Sequence, residues 1–287
     1  MRLTIRANQQ NPLPRYLRFL VYSSFPKYQS TMINSTDLCD FLSSYAAAIL
    51  KAGSTTERCE KTVSRIAVAY GYVAEMTILP RSVTVSVRPK GNWGFVSMHK
   101  SISGFGVDFH QISMLSQLSW DIRDEHISLG VAKRRLKNIV MRRRMNAWVA
   151  MFFISLANAS WVRLFDGDYP GVVIVFIATL CGLLLRNSLT GHFRWDYRIA
   201  TLLAACCSSV LVSLAFLLDW THTEDVALGT CVLYLVPGIM VINSVSDMIN
   251  GHVLYSFNRF VTACVLTACL GLGLSLGILL MNVESVI

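Results

Sequence analysis

The chain has 287 residues, 53% hydrophobic and only 15% charged, with a positive mean hydropathy. Ordinary water-soluble domains have roughly a quarter of their residues charged, so this composition excludes one and marks a membrane protein. Residues 1–146 hold 21 of the 26 Lys/Arg and 9 of the 17 Asp/Glu, which makes that part net +12 and the remainder net −3; an aqueous N-terminal region joined near residue 146 to a membrane region is expected.

Residues 1–34 are basic and proline-containing, and their one apolar run, YLRFLVYSSF, is interrupted by Arg18. A secretory signal needs an uninterrupted apolar core, so this stretch reads as a flexible or membrane-skimming extension, which a start at Met32 would remove. From Ser35 the spacing becomes helical. STDLCDFLSSYAAAILKAG places Leu38, Phe41, Leu42, Tyr45 and Ile49 on one side and stops at Gly53. TTERCEKTVSRIAVAYG repeats the pattern with Cys59, Val63, Ile66, Ala67 and Tyr70, and stops at Gly71. YVAEMTILPRSVTVSVRP is rich in β-branched residues around Pro80 and predicts a strand pair; WGFVSMHKSISGFG adds a possible third strand. Helical spacing returns in DFHQISMLSQLSWDIRDEHI and continues into LGVAKRRLKNI. Residues 35–146 are thus expected to form a small cytoplasmic α/β domain.

The run KRRLKNIVMRRR, Lys133 to Arg144, carries seven cations in twelve residues directly before the first long apolar stretch. Beside a membrane helix, such a run sets topology and attracts anionic headgroups. It therefore argues for a cytoplasmic N-terminal region and against DNA or RNA as a partner. About twenty helical residues cross the hydrocarbon layer, and five spans are predicted, about 147–165, 169–185, 199–218, 226–249 and 260–281. The loops alternate in sign. Asp166 and Asp168 lie outside, Arg186, Arg194 and Arg198 inside, the acidic DWTHTED outside, and Asn250 to Arg259 inside, which leaves the C-terminus outside. The expected fold class is an α-helical multi-pass membrane protein preceded by a small cytoplasmic α/β domain.

The eight cysteines form no C-x-x-C pair, and six lie in apolar segments, where they act as small hydrophobes. The histidines are scattered, so neither a metal site nor a cofactor is expected. No P-loop, dinucleotide fingerprint or G-x-S-x-G occurs. The chain is not expected to be an enzyme, and any transport by it must draw on an existing gradient.

The fourth predicted span contains VPGIMVINSVSDMINGH. Pro237 breaks the helical ladder near mid-membrane and Gly238 gives the backbone room. Toward the cytoplasmic end Asn243, Ser246, Asp247 and Asn250 share one face through spacings of three and four. An aspartate within a span costs about 3 kcal/mol and normally faces the protein interior or a pathway. A broken helix with a polar face is how secondary transporters build binding sites; a simple kink with a wet Asp247 is the structural alternative. In the fifth span Gly271, Gly273 and Gly277 are expected to let another helix approach, as is the small-residue run AACCSS at 204–209 in the third.

Two stretches resemble the N-terminal half of the threonine/serine exporter family. LVPGIMVINSVSDMINGHVLYSFNRF is similar to the family's Pro-Gly-x-Pro, Asn, Asp, Asn-Gly pattern followed by an arginine, and matches at Pro237, Gly238, Asn243, Asp247, Asn250, Gly251 and Arg259. Met240 replaces the second proline, so a milder break is expected. ILKAGSTTERCEKTVSRIAVAYG is similar to the cytoplasmic Gly-Ala-Glu-Thr-x-Arg-Val-Glu-x-Thr segment through Gly53, Thr56, Arg58, Glu60 and Thr62, with Thr55 in place of the usual Glu. The resemblance covers about residues 35–281. It implies an inner-membrane exporter of threonine and serine, or of dicarboxylates such as succinate, completed by a second, smaller membrane subunit and forming an oligomer. On this reading Pro237, Gly238, Asn243, Ser246, Asp247 and Asn250 line the path of a small polar solute, with Asp247 as the proton or cation group. Gly53, Arg58, Glu60, Gly251 and Arg259 are motif positions without an assigned role. A non-transporting scaffold or regulatory subunit with a ligand-binding cytoplasmic domain is the reading from a different class.

Overall fold

A computed structural model describes residues 34–90, 94–102, 104, 106–142 and 145–281. The expectations for residues 1–33, including the alternative start at Met32, for Arg143 and Arg144 of the basic run, and for the C-terminal tail after Met281 lie outside the described residues.

The first two helices follow their apolar spacing. In α1 (Ser35–Lys51) the predicted Leu38, Phe41, Leu42, Tyr45 and Ile49 are all buried, and in α2 (Thr56–Ala69) so are Cys59, Val63, Ile66 and Ala67. Tyr70, the last of the predicted set, is half-buried and its hydroxyl donates to the Ile127 carbonyl at 2.9 Å. Each helix stops at a glycine in the left-handed region, Gly53 at φ +88° and Gly71 at φ +84°, where a side chain would be strained. A three-stranded antiparallel sheet follows in the order β1 (Tyr72–Leu79), β2 (Ser82–Pro89), β3 (Val96–Ser101). Leu79 pairs with Ser82, so Pro80 and Arg81 make a two-residue turn, with the fixed φ of proline at its first position. Period-two alternation gives the sheet one dry face. Val83, Val85 and Val87 are buried on the side covered by α1, while Thr84 and Ser86 on the opposite side hydrogen-bond His99 and Ser97. Helices α3 (Phe109–Asp124) and α4 (Leu129–Met141) complete the layer, with Ile112, Leu115, Leu118 and Ile122 packed inward.

Four helices after residue 146 are long and apolar enough to cross a membrane: α5 (Ala147–Leu164), α6 (Tyr169–Gly191), α7 (Tyr197–Leu217) and α10 (Val253–Leu280). A fifth span is possible in two pieces, because α8 (Glu224–Cys231) with its short 3-10 extension and α9 (Gly238–Ile249) meet at a bend of 58°. Three of these helices start behind a side-chain cap, in which Asn146, Asp168 and Asp196 accept from the backbone of Trp148, Gly171 and Arg198. The last span differs from the sequence expectation. It begins seven residues earlier than predicted, and Arg259 sits inside it, because its charge is neutralised within the protein and therefore does not end the helix.

Glycines set the packing of α10 on α7. A Cβ on Gly273 would collide with the Leu202 carbonyl oxygen, and one on Gly277 would lie 2.9 Å from the Cys206 carbonyl oxygen. Gly271, predicted to join them, faces open space. These contacts advance along both helices in the same direction, so α10 runs parallel to α7. The twenty residues of α10 before Gly273 make about 30 Å of helix, whereas α7 has only five residues before Leu202. The first half of α10 therefore overhangs the start of α7, and α9 packs on that overhang.

At the opposite end, Asp168 ties two loops together. Its carboxylate accepts from the Thr221 and Thr223 hydroxyls at 2.8 and 2.9 Å, from the His222 N–H at 3.0 Å and from the Gly171 N–H at 2.9 Å. Partial burial would raise its pKa, but these four donors outweigh that and hold it at about 2. A depressed folded-state pKa stabilises the fold above the ordinary carboxylate value, and the benefit disappears as pH falls through the folded value. Asp168→Ala should therefore melt below the parent protein at pH 7, with the gap narrowing between pH about 4 and about 2. Thermal unfolding of the detergent-solubilised pair across that range is the check, and a gap independent of pH would refute the assignment.

Candidate functional site

The break in the fourth span follows from its sequence. Proline cannot donate to the ladder, and the residue before it is driven to extended backbone. Accordingly Val236 has φ −62° and ψ 125°, and α9 restarts at Gly238 immediately after Pro237. The break is complete despite Met240 standing where a second proline was expected. A Cβ on Gly238 would meet nothing within 4 Å, so close packing does not require this glycine.

A broken helix leaves carbonyls without their usual donors, and within a membrane these need partners from the protein. Asn158 of α5 supplies one, since its side-chain amide donates to the Thr230 carbonyl at 3.1 Å and to the Thr179 hydroxyl at 2.7 Å. Beside it the Tyr234 hydroxyl meets Ser208 Oγ at 3.0 Å, and Ser208 itself donates to the Ala178 carbonyl. Gly182 is required here because a Cβ would occupy the position of the Tyr234 hydroxyl. The sequence reading did not single out Asn158, Thr179 or Tyr234, and took Ser208 only as part of the small-residue packing run. An asparagine in an apolar span was the available signal, but its partners lie on two other helices.

Past the break, α9 is amphipathic with its polar side inward. Ser244 and Asp247 are its buried residues, while Ile242, Val245, Met248 and Ile249 are exposed. The inward side meets the loop that joins α1 to α2. Asn243 Nδ2 donates to the Gly53 carbonyl at 2.9 Å. One oxygen of Asp247 accepts from the Thr56 N–H at 2.9 Å and the Thr56 hydroxyl at 2.7 Å. Its other oxygen accepts from Arg259 Nη1 at 2.8 Å, and Arg259 Nη2 donates to the Ser54 carbonyl at 2.7 Å. Asn250 reaches Glu57 at 3.2 Å and His252 reaches Glu60 at 3.5 Å. The Tyr255 ring lies 4.6 Å from the Arg259 guanidinium, a cation–π contact.

The two motif stretches, some 190 residues apart in sequence, are therefore halves of one site. Asp247 is completely buried and Arg259 is 3% exposed. The carboxylate also sits at the N-terminus of α2, where unpaired N–H groups and the helix dipole favour negative charge. Thr55 caps that helix, its hydroxyl accepting from the Arg58 N–H. Gly53 must be glycine twice over: its φ is positive, and a Cβ would lie 2.8 Å from the Gly106 carbonyl oxygen. Gly251, at φ +86°, makes the turn from α9 into α10. Of the remaining predicted residues, Ser246 is half-buried on the same side of α9 and its carbonyl accepts from Asn250, while Arg58 is exposed. In this conformation the Gly53–Thr56 loop covers Asn243 and Asp247, while Asn250 at the end of α9 is exposed.

Four uninterrupted apolar helices long enough to cross a membrane, with a bent helix pair split at a proline and polar beyond the split, define a multi-pass membrane protein. The chain belongs to the threonine/serine exporter family: the family model described as "Putative threonine/serine exporter" matches residues 40–281. Among curated relatives, the "Probable succinate transporter subunit YjjP" of Escherichia coli is 26% identical over 238 residues, covering 80% of this chain and 90% of the relative. The protein of the same name from Klebsiella aerogenes is 24% identical over 231 residues, covering 79% and 88%. No solved structure matches.

Proposed function

We propose that this chain is the larger subunit of a gradient-driven exporter of small carboxylate-bearing metabolites, working with a smaller membrane subunit in the inner membrane. The observation that carries this reading is the match to about nine-tenths of two relatives that are each named as a transporter subunit. Residues 35–146 form its cytoplasmic domain, as the basic run before the first span supports, and residues 147–287 form its membrane domain. The family description favours threonine and serine as solutes, and the relatives' names favour a dicarboxylate. Both carry a carboxylate, and both can be tested in one assay.

The mechanism centres on the break at Pro237. With Asp247 paired to Arg259 and covered by the Gly53–Thr56 loop, the cytoplasmic end of the pathway is closed. Parting the ion pair lets α9 swing about Val236–Gly238 and uncovers Asn243, Ser246, Asp247 and Asn250 as one polar strip. Asp247 then takes a proton or cation, and the asparagine amides hydrogen-bond the solute. Cells co-expressing the chain and a candidate smaller subunit should release labelled succinate or threonine, and Asp247→Asn should reduce release at least tenfold. Unchanged release of both solutes by that variant would remove Asp247 from the mechanism, and release of neither by the parent pair would remove the solute class.

A further inference from the structure

A groove of about 470 Å³ lies between α1 and α4, closed at one end by Ile102 after β3. That is the size of a small-molecule site. Its floor is apolar, built from Phe41, Ala48, Ile102 and Leu136, all buried. Its rim is cationic. Asp40, which lines the groove, is paired with Lys100, and Lys133, which also lines it, is paired with Asp37, both at 2.9 Å. Lys51 and Lys137 also line the groove and pair with no carboxylate among the described residues. An apolar floor beneath unneutralised ammonium groups fits an amphiphile with an anionic head.

Two separate tethers tie this groove to the apolar helices. At one end Lys51 is two residues from Gly53, whose carbonyl is held by Asn243 of the broken span. At the other end, Val140 and Met141, exposed at 50% and 70%, line the groove only six residues before the first membrane helix begins at Ala147. Six extended residues reach at most about 21 Å, so the groove mouth cannot lie far from the headgroup layer. Lysines at that depth attract anionic lipid.

We propose that this groove seats one anionic phospholipid, its phosphate held by Lys51 and Lys137 and the start of an acyl chain lying on Phe41, Ala48 and Leu136. The bound lipid bridges α1 and α4, and so strengthens the attachment of the sheet-bearing layer to the membrane helices. Native mass spectrometry of the full chain released from mixed micelles tests this, with phosphatidylglycerol and phosphatidylcholine of identical chains as probes. One phosphatidylglycerol should be retained per chain, and phosphatidylcholine at least tenfold less. Ala47→Phe, which fills the groove from its half-exposed side, and the double variant Lys51→Ala/Lys137→Ala should each lose the bound lipid. Arg134→Ala, an exposed cation of α4 outside the groove, should retain it. The proposal is overturned by equal retention of both lipids, by retention in Ala47→Phe, or by an equal loss in Arg134→Ala, which would mean diffuse surface charge. Competition by glycerol 3-phosphate as strong as that by the intact lipid would overturn it too, by marking a soluble-anion site.

Discussion

Asp247→Ala should be the most damaging single substitution in this protein, costing about 3–5 kcal/mol, the usual result of stranding one partner of a buried ion pair. Its loss leaves the Arg259 guanidinium 3% exposed without its counter-charge, and removes both acceptor contacts to Thr56 at the start of α2. Arg259→Ala should be nearly as costly, because it buries an unpaired carboxylate and also releases the Ser54 carbonyl. The double replacement Asp247→Leu/Arg259→Met leaves no uncompensated charge, and should recover at least half of the loss, since apolar substitutes for a whole buried pair are often tolerated. Thermal unfolding of the four proteins in detergent shows how much of each single loss the apolar pair restores. Export assays on the same set separate the two roles of the aspartate. If the double variant regains its fold but not its transport, Asp247 carries charge in the mechanism. If both return, the pair is a structural clasp.

Gly273→Leu should be the second most damaging change, and it acts by overpacking. The atom that a side chain would meet is the Leu202 backbone oxygen, and backbone within a packed helix pair has little freedom to retreat. Overpacking ordinarily costs about 1–3 kcal/mol; here separation of α10 from α7 is the alternative to strain, so a loss at the upper end is expected, with a lowered melting temperature and broadened size-exclusion profile. Gly277→Leu should cost less. One of its neighbours is the Ser209 hydroxyl, which can rotate away, although the Cys206 carbonyl stays close at 2.9 Å. Gly271→Leu is the internal control: nothing lies within 4 Å of its would-be Cβ, and its stability should be unchanged. Equal effects at Gly271 and Gly273 would show that helix propensity or lipid contact, and not packing on α7, controls this stretch.

Apolar spacing alone was enough to locate α1, α2, the strand pair around Pro80 and the long spans, because a helix or strand must bury one face and the residues of that face recur at 3.6 or 2. Glycine stops at Gly53 and Gly71 and the break at Pro237 were equally local, as each follows from the backbone freedom of the residue concerned. Sequence periodicity also put Asn243 and Asp247, four residues apart, on one side of α9. It could not say what that side touches, nor that Arg259 would lie within α10 and not at its start. Those facts depend on a contact across some 190 residues, in which a carboxylate from the broken span caps a helix of the sheet-bearing layer. Hydrogen bonds and ion pairs between distant segments leave no periodic trace in the chain, so only the tertiary structure could join the two motifs into one buried site.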